Sequence, residues 1–254
     1  MIFYDANLSF GVNINVEKKP HLPCKTIDDL QTALKRAGVR GGLVRAEAAD
    51  MAGAVTGNIL LENALSNASP ELFGMYTLMP SCTHEIPGPA ALPAAMKKGR
   101  FAALRLAPET HQYLAKPQVL GDYLEMACDR KIPVVFDTAY GITISEVYEI
   151  MEHFPDLTAI LANHNIWPSD RYDRAFLSRF KNLRMELSAS FNAMELEALV
   201  RQYGCTRFLY GSRFPAMYMG GIMLMLRHAD ISEKDKQMIA GENLLSMIRE
   251  ATYE

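Results

Sequence analysis

The feature that most narrows what this chain can fold into is a repeat of short apolar runs rich in Val, Ile, Phe and Tyr, most of them followed by a longer segment with helical periodicity. Eight such runs occur, at Ile2–Asp5, Gly41–Arg45, Phe73–Met79, Ala102–Leu106, Pro133–Asp137, Ala159–Ala162, Arg184–Leu187 and Arg207–Tyr210. Alternation of this kind is the signature of βαβ units and a parallel sheet. The 254 residues match the roughly 250 of a closed eight-unit barrel, and no Ser/Pro/Gly-rich stretch divides them, so one domain spanning 1–254 is the simplest reading.

The intervening helices have readable ends. Thr26 can cap TIDDLQTALKRAG, with Asp29 three residues on as an acidic capping box and Gly38 placed to stop it. Further helices are expected at Gly57–Asn67, Pro89–Lys98, Pro117–Lys131, Thr143–Phe154, Arg174–Phe180, Asn192–Tyr203 and Ser232–Glu250. The fold class is therefore α/β, a (β/α)8 TIM barrel. An open doubly wound sheet is the alternative, but no GxGxxG or P-loop pattern follows any strand.

Composition excludes several functions. A net charge of −3 with scattered Lys and Arg is not the footprint of a nucleic-acid binder. Met1–Phe10 does not read as a secretion signal, so a cytoplasmic location is expected. The longest apolar run, Ala216–Leu226, is about half the roughly 20 residues a bilayer requires, so no membrane anchor is expected. Its Met-rich part, Met217–Leu226, reads as core packing, a lid or a subunit interface. Cys24, Cys82, Cys128 and Cys205 lack metal or redox spacing and read as free thiols. His21, His84, His111, His153 and His228 also lack ligand spacing and read as surface residues. A homodimer is expected only from the general prevalence of two-fold oligomers.

In a closed barrel the chemistry sits where the strands' carboxyl ends converge. That places Asp5, Asn7, Ser9, Arg105, Asp137, Asn163, His164, Glu186, Ser188, Ser212 and Arg213 around one mouth, with Arg171 nearby. The segments Gly11–Cys24 and Met79–Pro89 are long enough to shape the pocket.

The same positions resemble the amidohydrolase-related (amidohydrolase 2) family of TIM-barrel metal-dependent hydrolases. That family's first strand typically ends Asp-x-His-x-His, and here the run is Asp5-Ala-Asn7-Leu-Ser9. Its fifth strand commonly ends in Pro-Val-x-x-His-Thr, and IPVVFDTAY has Asp137 at the histidine. The sixth ends in a histidine, supplied by His164 of ILANHNIWP, with Asn163 adjacent should the register slip. NLRMELSAS resembles Asn-Leu-x-x-Asp-Leu-Ser, giving Glu186 and Ser188. YGSRFP resembles Gly-Ser-Asp-Phe-Pro with Arg213 at the aspartate, and GENLLSMI resembles the closing Gly-x-Asn helix.

The resemblance implies a hydrolase whose metal ligands have been replaced, so no metal cofactor is expected. Arg213 cannot donate a lone pair. Two unit charges about 4 Å apart interact by roughly 4 kcal/mol at an effective dielectric of about 20, and a dication doubles the repulsion. A contact between Asp137 and Arg213, with the arginine filling the metal's place, is therefore expected.

His164 remains as a general base, oriented by Asp137 or Glu186, with Asn7, Ser9, Arg105, Arg171 and Arg213 binding the substrate. Arg105 reads equally as an ion pair that ties the barrel together. The implied activity is that of a metal-independent hydrolase, lactonase or decarboxylase-like enzyme acting on a small anionic organic acid. Two alternatives stand beside it: a non-catalytic barrel that binds a small anion, and a metal hydrolase with a remodelled site built from Asp137, His164 and Asn7 or Ser9.

Overall fold

The computed structural model describes residues 1–12, 24–164, 166–190 and 192–254, with the side chains of 166–169 outside that description. Eight parallel strands form one sheet in chain order: β1 (Phe3–Phe10), β2 (Val39–Ala46), β3 (Leu72–Thr77), β4 (Phe101–Leu106), β5 (Val134–Asp137), β6 (Ala159–Ala162), β7 (Leu183–Glu186) and β8 (Phe208–Leu209). The ring closes just past β8, where Ala6 N–H donates to the Tyr210 carbonyl and Ser9 N–H to the Phe214 carbonyl, each at 2.9 Å. The expected TIM barrel is the fold. All eight runs became strands, but β1 extends to Phe10, so Asn7 and Ser9 lie within it.

The helix ends follow local chemistry. Ile27–Ala37 begins at the Thr26–Asp29 capping box and ends at Gly38, whose φ of 76° suits a residue without a Cβ. The helix after β6 runs from Ile166 to Arg179, longer than the expected Arg174–Phe180, and its added turns carry Asp173. The Met-rich segment forms the helix Met219–His228, which buries Met219, Ile222, Met223 and Leu226, as core packing requires. Among the described residues no helix is long and apolar enough to cross a membrane.

The strands' period of two explains the site. Leu43, Met75, Ala103, Val135, Ile160 and Leu209 form an inner cluster, separate from the larger core between strands and helices. Two residues further along each strand, on the same face, stand Arg45, Thr77, Arg105, Asp137, Ala162 and Gly211. The layer above the apolar plug is thus polar on β2 to β5 and small beside β6 and β8. The gap at Gly211 is filled by Glu186 of β7, since a Cβ there would lie 2.0 Å from its Oε1.

Strands β1 and β2 approach closely at Gly42, where φ is +150° and a Cβ would fall 1.9 Å from the Asp5 carbonyl oxygen. Gly42→Ala is expected to cost about 3 kcal/mol, the upper end of overpacking penalties, read as a lowered urea midpoint. An unchanged midpoint would show that the two strands do not meet this closely.

Candidate active site at the barrel mouth

Strands β2 and β4 both carry an arginine as their last inward residue, and a buried guanidinium must be hydrogen-bonded and paired. Arg105 is 0% exposed. Its Nε donates to Asp137 Oδ2 at 3.1 Å, and its terminal nitrogens donate to Asp50 Oδ1 at 2.8 Å and Oδ2 at 3.4 Å. Its Cζ lies 4.3 Å over the Tyr140 ring, a cation–π contact. Arg45 donates to the same Asp50 at 2.6 Å and to the Tyr140 hydroxyl at 2.6 Å, and meets Glu47 at 3.0 Å. Asp50 comes from the short helix Ala48–Met51 that follows β2. Burial works against the charge of Arg45, but Glu47, Tyr140, Asp50 and Asp137 outweigh it and leave its pKa raised. For Arg105 burial and the neighbouring Arg45 oppose the charge, and Asp50 and Asp137 still raise its pKa.

A second network runs on from Asp137. Its Oδ1 accepts from Asn163 Nδ2 at 2.5 Å, and Asn163 Oδ1 accepts from Asn7 Nδ2 at 2.8 Å. Asn7 Nδ2 also donates to Glu186 Oε2 at 2.9 Å. Glu186 further accepts from the Ser188 amide at 2.5 Å, the Ser188 hydroxyl at 2.8 Å and the Asn163 amide at 3.3 Å. Asn163 reaches all these partners from a left-handed backbone, φ 58°, which asparagine tolerates better than most residues. Burial nevertheless raises the Glu186 pKa, against four hydrogen bonds that lower it.

Below this ring Asp5 is fully buried. Its Oδ1 accepts from the Asn7 and Ser212 amides at 2.9 and 3.0 Å, while Oδ2 has no partner among the described residues. Desolvation lifts its pKa to about 7, hydrogen bonds from Ser212 and Asn7 pull it down, and Glu186 adds to the rise.

His164 follows β6 and is buried, its Nε2 lying 2.8 Å from Asp173 Oδ1. Neither atom meets hydrogen-bond angles with any described residue, so the contact is a close approach of ring nitrogen and carboxylate. Burial raises the Asp173 pKa against the lowering effect of His164.

Three expectations need correction. His164 is paired with Asp173, not with Asp137 or Glu186, because both of those carboxylates are occupied within the two networks. Asp137 meets Arg105, not Arg213. Arg213 is exposed with φ 56°, and among the described residues its side chain has no ion pair. The segment around it is pinned to β1 through Ser9 N–H and to Ser212 through Phe214 N–H, donating to Ser212 Oγ at 3.1 Å, and this carries Arg213 outward. Finally, His111 is half-buried beside Arg105 and Asp50, not on the surface, and its Nε2 is a buried orphan among the described residues. Burial, with Arg105 opposing Asp50, lowers its pKa.

The other expected residues are placed as follows. Ser9 is buried, its hydroxyl 3.5 Å from the Phe214 carbonyl. Arg171 is exposed on the helix after β6, and His84, His153 and His228 are exposed as expected. His21 and most of Gly11–Cys24 lie outside the described residues. Sequence reasoning missed Arg45, Glu47, Asp50, Tyr140 and Asp173. Arg45 had a usable signal, since it is the charged residue at the end of its run, as Arg105 is one place before the end of its own.

Both Asp137 oxygens and both Glu186 oxygens are engaged, and Asn7 presents its amide nitrogen to three acceptors within reach. Among the described residues no three His, Cys, Asp or Glu are arranged to hold a metal.

No protein-family model matches the chain, and no curated protein does. Solved structures share its fold from end to end. 2,6-Dihydroxybenzoate decarboxylase from Rhizobium is 12% identical with a TM-score of 0.75, covering 98% of this chain and 99% of its own. 5-Carboxyvanillate decarboxylase from Sphingomonas paucimobilis is 14% identical at TM-score 0.69, covering 99% of both chains. Amidohydrolase 2 from Bifidobacterium longum subsp. infantis is 16% identical at TM-score 0.65, covering 97% and 99%.

Asp5 gives the ring a pH signature. Its folded pKa of about 7 stands above the ordinary carboxyl value of about 3.9, so between these limits the folded chain holds a proton that the unfolded chain has lost. Its contribution to stability therefore falls as pH rises through that window. Asp5→Asn, which cannot ionise, should gain in Tm relative to the parent from pH 5 to pH 7.5 by scanning calorimetry. A difference that stays constant with pH would mean that Asp5 is ionised throughout.

Proposed function

We propose that this mouth performs acid–base chemistry on a small organic acid, by hydrolysis or decarboxylation, without a bound metal and with His164 as the proton-transfer group. The observation that carries the reading is the His164–Asp173 pairing at 2.8 Å, buried at the carboxyl end of β6. A carboxylate beside an imidazole fixes the ring's orientation and stabilises the imidazolium formed when the base takes a proton. With Nε2 turned to Asp173, the opposite ring nitrogen, Nδ1, is the one offered to a substrate.

Arg105 is sealed from solvent, whereas Arg171, on the helix after β6, and Arg213, on the loop after β8, are exposed cations. These are the groups suited to a substrate carboxylate. The names of the two decarboxylases of the same fold, both of which describe aromatic acids, support this substrate class. In hydrolysis His164 takes a proton from water as its oxygen adds to the carbonyl, and returns that proton to the leaving group as its bond to the carbonyl carbon breaks. In decarboxylation the protonated imidazole gives its proton to the ring carbon whose bond to the carboxylate breaks, carbon dioxide leaves, and solvent water restores the proton.

The test is turnover by chelator-treated protein of a panel of hydroxybenzoates, carboxyvanillates and small lactones, followed by carbon dioxide release and acid production. His164→Gln is expected to lose at least about 100-fold in kcat/KM. Asp173→Asn should lower kcat more than it changes KM, since it removes the carboxylate that orients the ring while leaving the substrate contacts in place. Full activity in His164→Gln would overturn the assignment, and binding of these acids without turnover would establish the non-catalytic barrel instead.

A further inference from the structure

At the foot of the barrel, opposite the mouth, a cleft of about 1030 Å³ opens beside the first residues of β1, β2 and β3. The apolar plug of Leu43, Met75, Val135 and Leu209 separates it from the polar ring. Part of its lining is an irregular stretch of helix. Met238–Glu242 forms a single π-helical turn, in which Asn243 N–H donates to the Met238 carbonyl five residues back. Two packing constraints bear on that turn. A Cβ at Gly241 would come within 2.9 Å of the Ile2 carbonyl oxygen and of the Tyr4 ring, so the turn lies directly on the start of β1. Asn243 Nδ2 meanwhile donates to the Cys205 and Phe208 carbonyls at 2.9 Å each. A π turn sets residues five apart on one face, and Gln237 and Glu242 both line the cleft. A regular α-helix, turning about 100° per residue, would send them to different sides. Turns of this kind are rare and recur at functional sites.

The charges along the cleft are not all matched. Glu71 accepts from the Tyr4 hydroxyl at 2.7 Å and meets Arg40 Nε at 3.7 Å, and the Arg40 side chain is 67% exposed. Lys35, on the helix Ile27–Ala37, and Glu242, on the π turn, line the same cleft and are exposed. Among the described residues neither side chain has an ion pair or a hydrogen bond. Ile2, which is 59% exposed, and the half-buried Leu245 add apolar surface to this lining.

We infer that this cleft binds a small zwitterion with an apolar body, an amino acid, whose carboxylate meets Lys35 and Arg40 and whose ammonium meets Glu242. The inference is independent of the chemistry proposed for the mouth. A simple anion would leave Glu242 unmatched beside it, and a simple cation would do the same to Lys35. An apolar molecule would desolvate both charges without pairing either. A ligand that carries both signs matches both, and its apolar part lies on Ile2 and Leu245.

The experiment is a ligand-observed NMR titration of the whole chain with L-phenylalanine and L-leucine, using hydrocinnamate and phenethylamine as controls that each lack one charge. Both amino acids should bind saturably below about 10 mM, the weak range that a few polar contacts in an open cleft supply. The controls should bind at least about 10-fold more weakly, as should L-phenylalanine to Lys35→Glu or to Glu242→Lys. Both positions are exposed, so these variants should keep the parent's Tm. His164→Gln should bind L-phenylalanine as the parent does. Absence of saturable binding by the amino acids would overturn the inference, as would controls that bind as tightly or binding that survives both charge reversals unchanged. Loss of binding in His164→Gln would overturn it too, by placing the amino acid at the mouth.

Discussion

A guanidinium sealed from water sets the terms for the rest of this barrel mouth. Arg105 can be buried only because Asp50, Asp137 and the Tyr140 ring together meet its charge and its donors, and removing one partner of a buried pair typically costs about 3 to 5 kcal/mol. That requirement fixes three elements relative to one another: the end of β4, the end of β5 and the short helix after β2. Asp137, once fixed, orients Asn163, which orients Asn7, which meets Glu186. The polar ring is one connected structure from β2 round to β7, and each amide in it donates to a carboxylate or carbonyl oxygen already held in place.

The fold was legible because a parallel strand buried on both faces writes a near-continuous apolar run, and eight such runs at regular intervals leave few alternatives. The polar layer was legible in part, since Arg105, Asp137 and Glu186 each stand at the end of a run or one place before it. Their partners were not. Asp50 and Asp173 sit on helices, where no periodicity distinguishes a carboxylate turned toward the mouth from one turned to solvent. The expected pairing of Asp137 with Arg213 failed for a local reason. The chain at Phe214 is bound to β1, and Arg213 beside it takes a left-handed conformation and stands exposed, away from Asp137's partners. The register of motifs along a sequence places a Cα on the rim but does not say which way the side chain faces.

Burial also explains why the carboxylates at the base of the ring differ. Asp137 has a cation, whereas Glu186 has only neutral donors and Asp5 has two amides for one of its oxygens. Desolvation raises the pKa of a carboxyl group in proportion to what is left uncompensated, and the shifts of Glu186 and Asp5 are upward for that reason. Glu186 adds to the rise at Asp5, so a proton on Asp5 removes the repulsion between the two groups.

The mouth is therefore divided by its own electrostatics. On the side of β2, β4 and β5, each charged group is matched at short range and the space is filled by Tyr140. On the side of β6 and β8, His164 is paired on one nitrogen, and Arg171 and Arg213 stand exposed. An anion approaching the barrel meets its unmatched positive charge on this second side, and the matched side offers it no free donor from Arg105. The arc around β6 is where His164 meets Asp173, which comes from the helix behind it. The paired half supplies rigidity, because a side chain hydrogen-bonded to fixed partners has little freedom to move, although Arg45 Nε and Thr77 Oγ1 stay without partners among the described residues. Division of labour of this kind follows from placing two arginines in the inner layer of one half of the barrel and none in the other.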